Sequence, residues 1–420
     1  MENRLRNAWL LRRAGFGASD ASELDEPTNE LFERLVNPDG RNVPAATDPW
    51  DDALLGAVGG ANGLQPTADA RRGAIDGWLV RMVTTPRPLE ERMAWIWHDH
   101  FATSLDKVKS PVLMVNHLRT IQRHAMGSFP ALVKAMTIDA AMLLWLDGNT
   151  STAAAPNENF GRELLELFTV GLGAHSEADV QAAARALTGW RVQRSTNEVA
   201  LQRRLHDEAP QVLLGRSGVN DVDTVVDAVC SAPGCAPFVT RSLAGHLLGP
   251  AAAADEGLIA KLAADFRRGG LEIRPLVRAL LAAGLERRDT AVVEAPVPWL
   301  VRAQRMTGAQ LPAAGRVAGL TSCGQVPMRP PDVGGWPAHT AWLASSTVVA
   351  RATLAATVAA ATPPTSAARD AARRGDFDGL AAALGRAVPF GPATVAALRS
   401  VPNEVGALAL ALTAPDQVVI

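Results

Sequence analysis

Apolar residues recur at intervals of three or four along most of this 420-residue chain, and this spacing limits its fold more than any other feature. Met93, Trp97 and Phe101 are one example, because side chains four residues apart share one face of a helix. Other segments with helical spacing are residues 68–84, 111–126, 128–145, 176–189, 221–248 and 255–281. No alternation of strands with helices indicates a doubly wound sheet. The sequence therefore predicts a mainly α-helical, multi-helix globular bundle.

Two kinds of segment interrupt the helical spacing. Residues 37–66 and 324–342 are rich in Pro and Gly and predict long loops, the first with a short helix around DDALLGAV. Residues 191–214 alternate enough to predict a small β-hairpin, and we expect no more β-structure than that. We expect a main helical domain over residues 1–360 and an Ala-rich helical tail over residues 361–420 that packs on it.

Composition excludes several classes of protein. The formal net charge is −2 and no run of Lys or Arg marks a basic arm, so we expect no nucleic-acid partner. No stretch has the roughly 18 uninterrupted apolar residues of a membrane span. The N-terminal MENRLRNAWLLRRAGFG has no apolar run of signal-peptide length, and the expected location is the cytoplasm.

The stretch PNENFGRELLELFTVG combines a helical pattern with many polar groups. Asn157 is the expected N-cap, and Glu158, Arg162 and Glu166 are four apart, so they lie on one face and pair along it. Glu163 lies close to the leucine side, where a carboxylate is unfavourable unless an Arg from another helix pairs with it. The stretch is interpreted either as a structural ion-pair network or as part of a chemical site.

Two histidine motifs are further candidates. In WHDHF, His98 and His100 point about 200° apart on a helix, so they cannot both face one metal ion, and we expect one to point inward and one outward. The inward histidine, with Asp99 nearby, would complete a site with the carboxylates of the polar helix. In HDE, His206 and Asp207 lie off the helices, where functional groups are often presented, or else form a capped turn.

Six segments, taken in order, resemble one bacterial family. They are WLLRRAGFGAS, ERMAWIWHDHFATS, PNENFGRELLELFTVGLG, SEADVQAAARALTGWRV, HDEAPQVLLG and RPPDVGGWPAHTAWL, spanning about Trp9 to about Arg351. In this combination the chain resembles the family catalogued as domain of unknown function 1800. The resemblance implies a mainly α-helical fold but no accepted reaction or catalytic residues. Many members of that family carry export signals and are encoded beside a sulfatase-like protein, which the resemblance suggests as a partner.

Two functional hypotheses follow. The first is a metal-assisted, hydrolase-like enzyme in which a bound divalent ion acidifies water and a carboxylate takes its proton. Arg162 or Arg185 would bind an anionic group of the substrate. The predicted catalytic residues are Glu163, His206, Asp207 and Arg162, and the predicted metal ligands are His98, His100 and Glu166. The second is a non-catalytic helical scaffold that binds a partner such as a sulfatase-like protein. The two hypotheses differ in whether these side chains converge in a cleft or are paired separately.

Overall fold

The mainly α-helical prediction is confirmed. A computed structural model describes residues 2–50, 67–194, 196–287 and 289–420. Within these ranges it contains 23 α-helices and two antiparallel sheets of two strands each. The short helix predicted around DDALLGAV, residues 51–58, lies outside the described residues.

The amino-terminal half contains ten of these helices. They are α1 (Glu2–Arg13), α2 (Thr28–Val36), α3 (Ala68–Thr84), α4 (Pro88–His100), α5 (Leu105–Val108), α6 (Pro111–His124), α7 (Phe129–Thr137), α8 (Ala140–Trp145), α9 (Glu158–Glu163) and α10 (Glu177–Ala186). A π-helical turn, Leu164–Thr169, follows α9 directly.

Four strands lead from these helices into the carboxy-terminal half. They are β1 (Trp190–Gln193), β2 (Glu198–Leu201), β3 (Gln211–Leu213) and β4 (Arg216–Val219). The remaining helices are α11 (Val222–Ser231), α12 (Cys235–Leu247), α13 (Pro250–Ala253), α14 (Glu256–Arg268), α15 (Ile273–Leu285), α16 (Pro296–Thr307), α17 (Ala313–Ser322), α18 (Ser345–Ala361), α19 (Ala367–Arg374), α20 (Phe377–Ala383), α21 (Pro392–Arg399), α22 (Glu404–Thr413) and α23 (Pro415–Val418).

The strands form two hairpins, one more than the sequence predicts. β1 pairs with β2 and β3 pairs with β4, both antiparallel. The second hairpin turns at Leu214 and Gly215, which both have positive φ (50° and 79°), as a tight hairpin turn requires. Leu is rare in that conformation, so the dipeptide gives no turn signal in the sequence.

Local helix signals are confirmed where the structure tests them. The side chain of Asn157 caps α9 by accepting from the backbone N–H of Asn159 at 2.9 Å. Ser176 and Asp179 form the reciprocal capping box of α10. Pro88 occupies the first turn of α4, where the missing N–H would have no helical partner.

The apolar residues of α4 belong to two separate hydrophobic clusters. Met93 and Trp97 pack with Phe129 and Phe168 in one cluster, whereas Trp95 packs in the other. Because α4 is covered on both sides, polar groups near its carboxyl end are shielded from bulk water. Burial at this end of α4 therefore affects the ionisation of the last residues of the helix.

The carboxy-terminal helices share the second cluster with the middle of the chain. Leu380, Leu408 and Leu412 are buried in the same cluster as Trp78 and Trp299. The indole N–H of Trp299 donates to the carbonyl of Leu412 at 2.9 Å, which links α16 to α22.

None of the helices in the described ranges is by itself long and apolar enough to cross a membrane. Only α11 and α12 taken together, which are bent by 76° relative to each other, meet the criteria of length and composition.

Candidate active site

A cleft of about 350 Å³ opens where the carboxyl end of α4 meets α12 and the loop of residues 324–342. Its polar lining comes from all three elements and consists of Asp99, His100, Arg241, Ser242, His246 and His339. Concave sites with a few convergent polar groups are where ligands usually bind. The cleft is therefore the candidate functional site among the described residues.

Asp99 has a strongly altered environment in the cleft. Its Oδ1 accepts from the backbone N–H of Trp336 at 2.8 Å, and its side chain is largely buried. Burial raises the pKa of this carboxyl to about 7, although the hydrogen bond from Trp336 opposes the rise. At neutral pH both the protonated and the ionised form are therefore well populated.

The loop of residues 324–342 approaches Asp99 closely because of a glycine. Gly335 has a φ of +86°, and a Cβ at this position would lie 2.3 Å from Oδ1 and 2.7 Å from the carbonyl oxygen of Asp99. Only Gly combines this φ with so close a contact without strain. Trp336 then stacks on Trp95 of α4, with ring centroids 5.0 Å apart. The Pro/Gly loop therefore packs over the end of α4, and the side chain of Trp336 is buried in the second hydrophobic cluster.

Three histidines lie around the same space. His246 Nε2 is 4.0 Å from Asp99 Oδ2, and His100 Nε2 lies 2.9 Å from the carbonyl oxygen of Phe168, to which it can donate. Burial lowers the pKa of His246 to about 3, assisted by the charge of Arg92, and burial also lowers the pKa of His100 to about 4. Both imidazoles are therefore neutral near pH 7.

His339 completes the cleft with a strained backbone. Its φ is +54°, in the left-handed region that non-glycine residues rarely occupy. Its Nδ1 is buried without a hydrogen-bond partner among the described residues. Burial, together with the charge of Arg13, lowers the pKa of His339. Strained residues of this kind are found preferentially at functional sites.

His98 lies in a different place from His100, on the other side of α4. It is fully buried among Trp78, Trp336 and His117, and its Nε2 accepts from the backbone N–H of Met328 at 3.2 Å. His100 lines the cleft, so neither histidine points into bulk water as we expected of one of them, because α4 is covered on both sides. Since Nε2 of His98 accepts, its neutral ring carries the proton on Nδ1.

The polar face of α9 forms an ion-pair network at the surface, as one interpretation predicts. Arg162 lies 2.5 Å from Glu177, 3.6 Å from Glu166 and 3.9 Å from Glu158. Glu166 also lies 3.3 Å from His175 Nε2. Arg162 and Glu166 therefore contact each other and neighbouring charges, and not the histidines of the cleft.

Glu163 differs from its neighbours on α9. Its side chain is half-buried and makes no ion pair or hydrogen bond with the described residues, so the expected Arg partner from another helix is not there. Burial raises the pKa of this carboxyl, the nearby charge of Glu166 raises it further, and Arg162 lowers it. A chemical role for Glu163 stays a prediction.

His206 and Asp207 hold a turn together. The two ring nitrogens of His206 lie 2.9 Å from the carbonyl oxygens of Thr188 and Asn220. Asp207 forms an ion pair of 2.8 Å with Arg185, which was the second predicted anion-binding arginine. These contacts fasten the segment after β2 to the end of α10 and to the start of α11, and they occupy the groups predicted to be catalytic.

We expect His206→Ala to lower the free energy of unfolding by about 1–2 kcal/mol, because a neutral imidazole donates one hydrogen bond, and a main-chain carbonyl of Thr188 or Asn220 loses it. Chemical denaturation measures the change, and His206→Gln, which keeps one side-chain donor, should recover part of the loss. Unchanged stability in His206→Ala would contradict the structural role assigned to this residue.

The predicted metal ligands do not lie close together in the structure. Across the described ranges, no three His, Cys, Asp or Glu side chains are grouped closely enough to hold a metal ion. His98, His100 and Glu166 therefore do not form a common ligand set here. Of the predicted residues only His100 lines the cleft. The oxygen of Asp99 and the nitrogen of His246, 4.0 Å apart, are the donors there that would suit a borderline divalent ion.

Two histidines of the cleft are not among the residues that the sequence singles out. His246 is a lone histidine in the apolar stretch LAGHLLG, and His339 lies in a Pro/Gly loop. A lone histidine in such a context is usually a packed residue, so neither gives a signal by spacing. The one available signal is the Gly-Gly-Trp sequence before His339, because the two glycines allow a close backbone approach.

Comparison with known proteins gives a family but no activity. The chain matches the family model described as "Protein of unknown function (DUF1800)" over residues 9–418. No curated protein and no solved structure matches it. The matched region starts at Trp9, as expected from the sequence motifs, and extends beyond Arg351 through the carboxy-terminal helices. The chain therefore belongs to the DUF1800 family.

Proposed function

We propose that this protein is a hydrolase-like enzyme that uses Asp99 as its general acid and base, with His246 beside it. The observation that carries the proposal is the cleft itself, in which a carboxyl with a pKa of about 7 faces neutral imidazoles. A group that is half-ionised at the working pH transfers protons most effectively. Carboxyls shifted this far by burial cluster at functional sites.

In the proposed reaction a water molecule attacks the acyl, phosphoryl or sulfuryl centre of an ester. The water oxygen forms the new bond, and its proton goes to the Asp99 carboxylate. The bond to the leaving oxygen then breaks, and the proton held by Asp99 passes to that oxygen, which restores the carboxylate. His246, which is neutral, orients the water through a ring nitrogen near Asp99.

The experiment is a hydrolysis assay with the p-nitrophenyl esters of acetate, phosphate and sulfate. We expect the wild type to hydrolyse at least one of them, and we expect Asp99→Asn to lower that rate by about 10²–10⁴-fold. Asp25→Asn is the matched control, because it changes the same group in an exposed ion pair with Arg4. Equal rates for wild type and Asp99→Asn would contradict the proposal.

The metal-assisted mechanism is tested in the same assay. Chelation with EDTA followed by addition of Zn²⁺, Mn²⁺ or Mg²⁺ shows whether a divalent ion contributes to the rate. If the activity disappears on chelation and returns with one ion, that ion would be held near Asp99 and His246 and would acidify a water molecule, and Asp99 would accept the proton.

A non-catalytic scaffold is the second candidate function. It is favoured by the separate pairing of Arg162, Asp207 and His206, which are all engaged in contacts that join secondary-structure elements. The partner suggested by the family resemblance is a sulfatase-like protein. If no ester is hydrolysed at any pH between 5 and 9, while that partner binds the chain with micromolar affinity or better, the scaffold is favoured over the enzyme.

A further inference from the structure

One wall of the cleft is apolar. Leu167, Phe238 and Val333 line the cleft, and each is only partly buried against the hydrophobic cluster that contains Met93 and Trp97. They come from the π-helical turn, from α12 and from the loop of residues 324–342. Apolar surface that is left in a concave site favours binding when a ligand removes it from water. This wall is therefore available to an apolar part of a ligand.

The ring of Phe238 has two close neighbours that place it beside the acid–base group. Gly171 has a φ of +88°, and a Cβ at this position would lie 2.8 Å from Cδ2 of Phe238, so a glycine lets the ring approach the main chain. The imidazole of His100, the residue after Asp99 in α4, lies 6.0 Å from the Phe238 ring between centroids. The apolar wall therefore begins next to the proposed catalytic carboxyl.

One face of α12 carries both the apolar wall and the polar groups of the cleft. The residues of α12 that line the cleft are Phe238, Arg241, Ser242, Gly245 and His246, and positions i, i+3, i+4, i+7 and i+8 share one side of a helix. Phe238 precedes His246 by eight residues, which is about 12 Å along the axis. A substrate whose reacting carbon lies beside His246 can therefore extend along α12 towards Phe238.

The charges of the cleft do not favour an anionic substrate. Among the described residues that line it, Arg241 carries the one permanent positive charge. Its Nη1 and Nη2 lie 2.8 and 2.9 Å from the two carboxylate oxygens of Glu256, so this charge already has a counter-ion. The ionised form of Asp99 repels a further negative charge. The cleft therefore suits a neutral carboxylic ester better than a phosphate or sulfate ester.

We infer that the cleft binds neutral carboxylic esters whose apolar acyl group packs against Leu167, Phe238 and Val333. The inference rests on the proposed function and narrows its substrate class to carboxylic esters with an acyl chain longer than acetyl. Each methylene group that the wall buries should strengthen binding by about fourfold. Phe238 is then a specificity-determining residue, which acts on the acyl group and takes no part in proton transfer.

The p-nitrophenyl esters of acetate, butanoate and hexanoate test this substrate class with the whole protein. We expect kcat/KM for the hexanoate to exceed that for the acetate by at least about tenfold, and the phosphate and sulfate esters to be poorer substrates than the hexanoate. Phe238→Ala should lower the hexanoate-to-acetate ratio by at least about fivefold, and Val333→Thr, which adds a hydroxyl to the wall, by about threefold. Phe377→Ala should keep the ratio, because Phe377 is also partly buried but packs in the other cluster.

Binding of primary amides tests the apolar wall without catalysis. Acetamide, butanamide and hexanamide are neutral and differ only in chain length, and each is titrated into the whole protein by calorimetry. We expect hexanamide to bind at least about tenfold more tightly than acetamide. Phe238→Ala should remove most of this difference, whereas Phe377→Ala should keep it.

The inference is overturned if the acetate and hexanoate esters are hydrolysed equally well, or if the phosphate or sulfate ester is the best substrate. The second result would leave the proposed hydrolytic role of Asp99 in place. If no ester is hydrolysed, the proposed function fails, and the amides then decide the inference alone. Binding that increases with chain length and depends on Phe238 would support the apolar site, and equal binding of the three amides would overturn it.

Discussion

Asp99→Asn is expected to make the folded protein more stable at pH 8, by on the order of 2–4 kcal/mol. In the unfolded chain Asp99 loses its proton near its ordinary value of 3.8, whereas in the folded protein it keeps the proton up to about pH 7. Folding above pH 7 therefore buries a charge. Asn carries no charge, and its amide oxygen still accepts the hydrogen bond from Trp336.

The direction of this stability change follows from the pH dependence of Asp99 ionisation in the folded and unfolded states. Between pH 4 and 7 the folded state holds a proton at Asp99 that the unfolded state has lost, so the stability contributed by this group falls as the pH rises through that window. Above pH 7 the loss levels off. The advantage of Asp99→Asn over the wild type should therefore grow by about 2–3 kcal/mol from pH 5 to pH 8.

Chemical denaturation at the two pH values measures this difference. Asp25→Asn, in an exposed ion pair, should show no such growth with pH. A lower stability of Asp99→Asn at pH 8 would mean that the carboxylate is favourably bound in the fold, and the account of the cleft would then fail. Residues placed for catalysis often reduce stability in this way.

Glu294→Gln is expected to lower the free energy of unfolding by about 3–5 kcal/mol. The side chains of Glu294 and Arg302 are only 3% and 1% exposed, and the pair is closed by contacts from two guanidinium nitrogens. Gln fits the space but leaves the charge of Arg302 without its counter-ion. The main chain of Glu294 also accepts from Arg351 and donates to Val418, so the substitution affects the point where the carboxy-terminal helices join the rest of the chain.

A double variant separates the contribution of the ion pair to stability from the contribution of side-chain packing. Glu294→Leu with Arg302→Met replaces both charges by apolar groups and should recover much of the stability that Glu294→Gln loses. Thermal and chemical denaturation of the three proteins give the comparison. A melting temperature of Glu294→Gln within about one degree of the wild type would show that the pair is not an important source of stability.

Much of the fold follows from features that act over a few residues. The N-cap at Asn157, the capping box of Ser176 and Asp179, and the ion pairs of Arg162 along α9 depend on spacing within one helix, and spacing is visible in the sequence. The π-helical turn after α9 is not, because it depends on how Leu164–Thr169 packs against other helices. That turn carries Phe168, whose carbonyl oxygen lies within hydrogen-bond distance of His100.

The candidate site depends on contacts between distant parts of the chain. The motif WHDHF draws attention to its histidines, but the group whose pKa lies near neutral pH is the Asp99 carboxyl between them. That alteration requires Gly335 and Trp336 to cover the end of α4, more than 230 residues along the chain. His246 likewise belongs to the site only because α12 and α4 meet in space, which places its Nε2 4.0 Å from Asp99 Oδ2.

The most direct measurement is a titration of the Asp99 carboxyl itself. Aspartate labelled with ¹³C at the side-chain carboxyl is observed by NMR from pH 4 to pH 9, and the Asp99 signal is assigned by its loss in Asp99→Asn. We predict a midpoint near pH 7. A midpoint near the ordinary value of about 4 would show that the carboxyl is ionised and well solvated, and would contradict a neutral-pH acid–base role for this cleft.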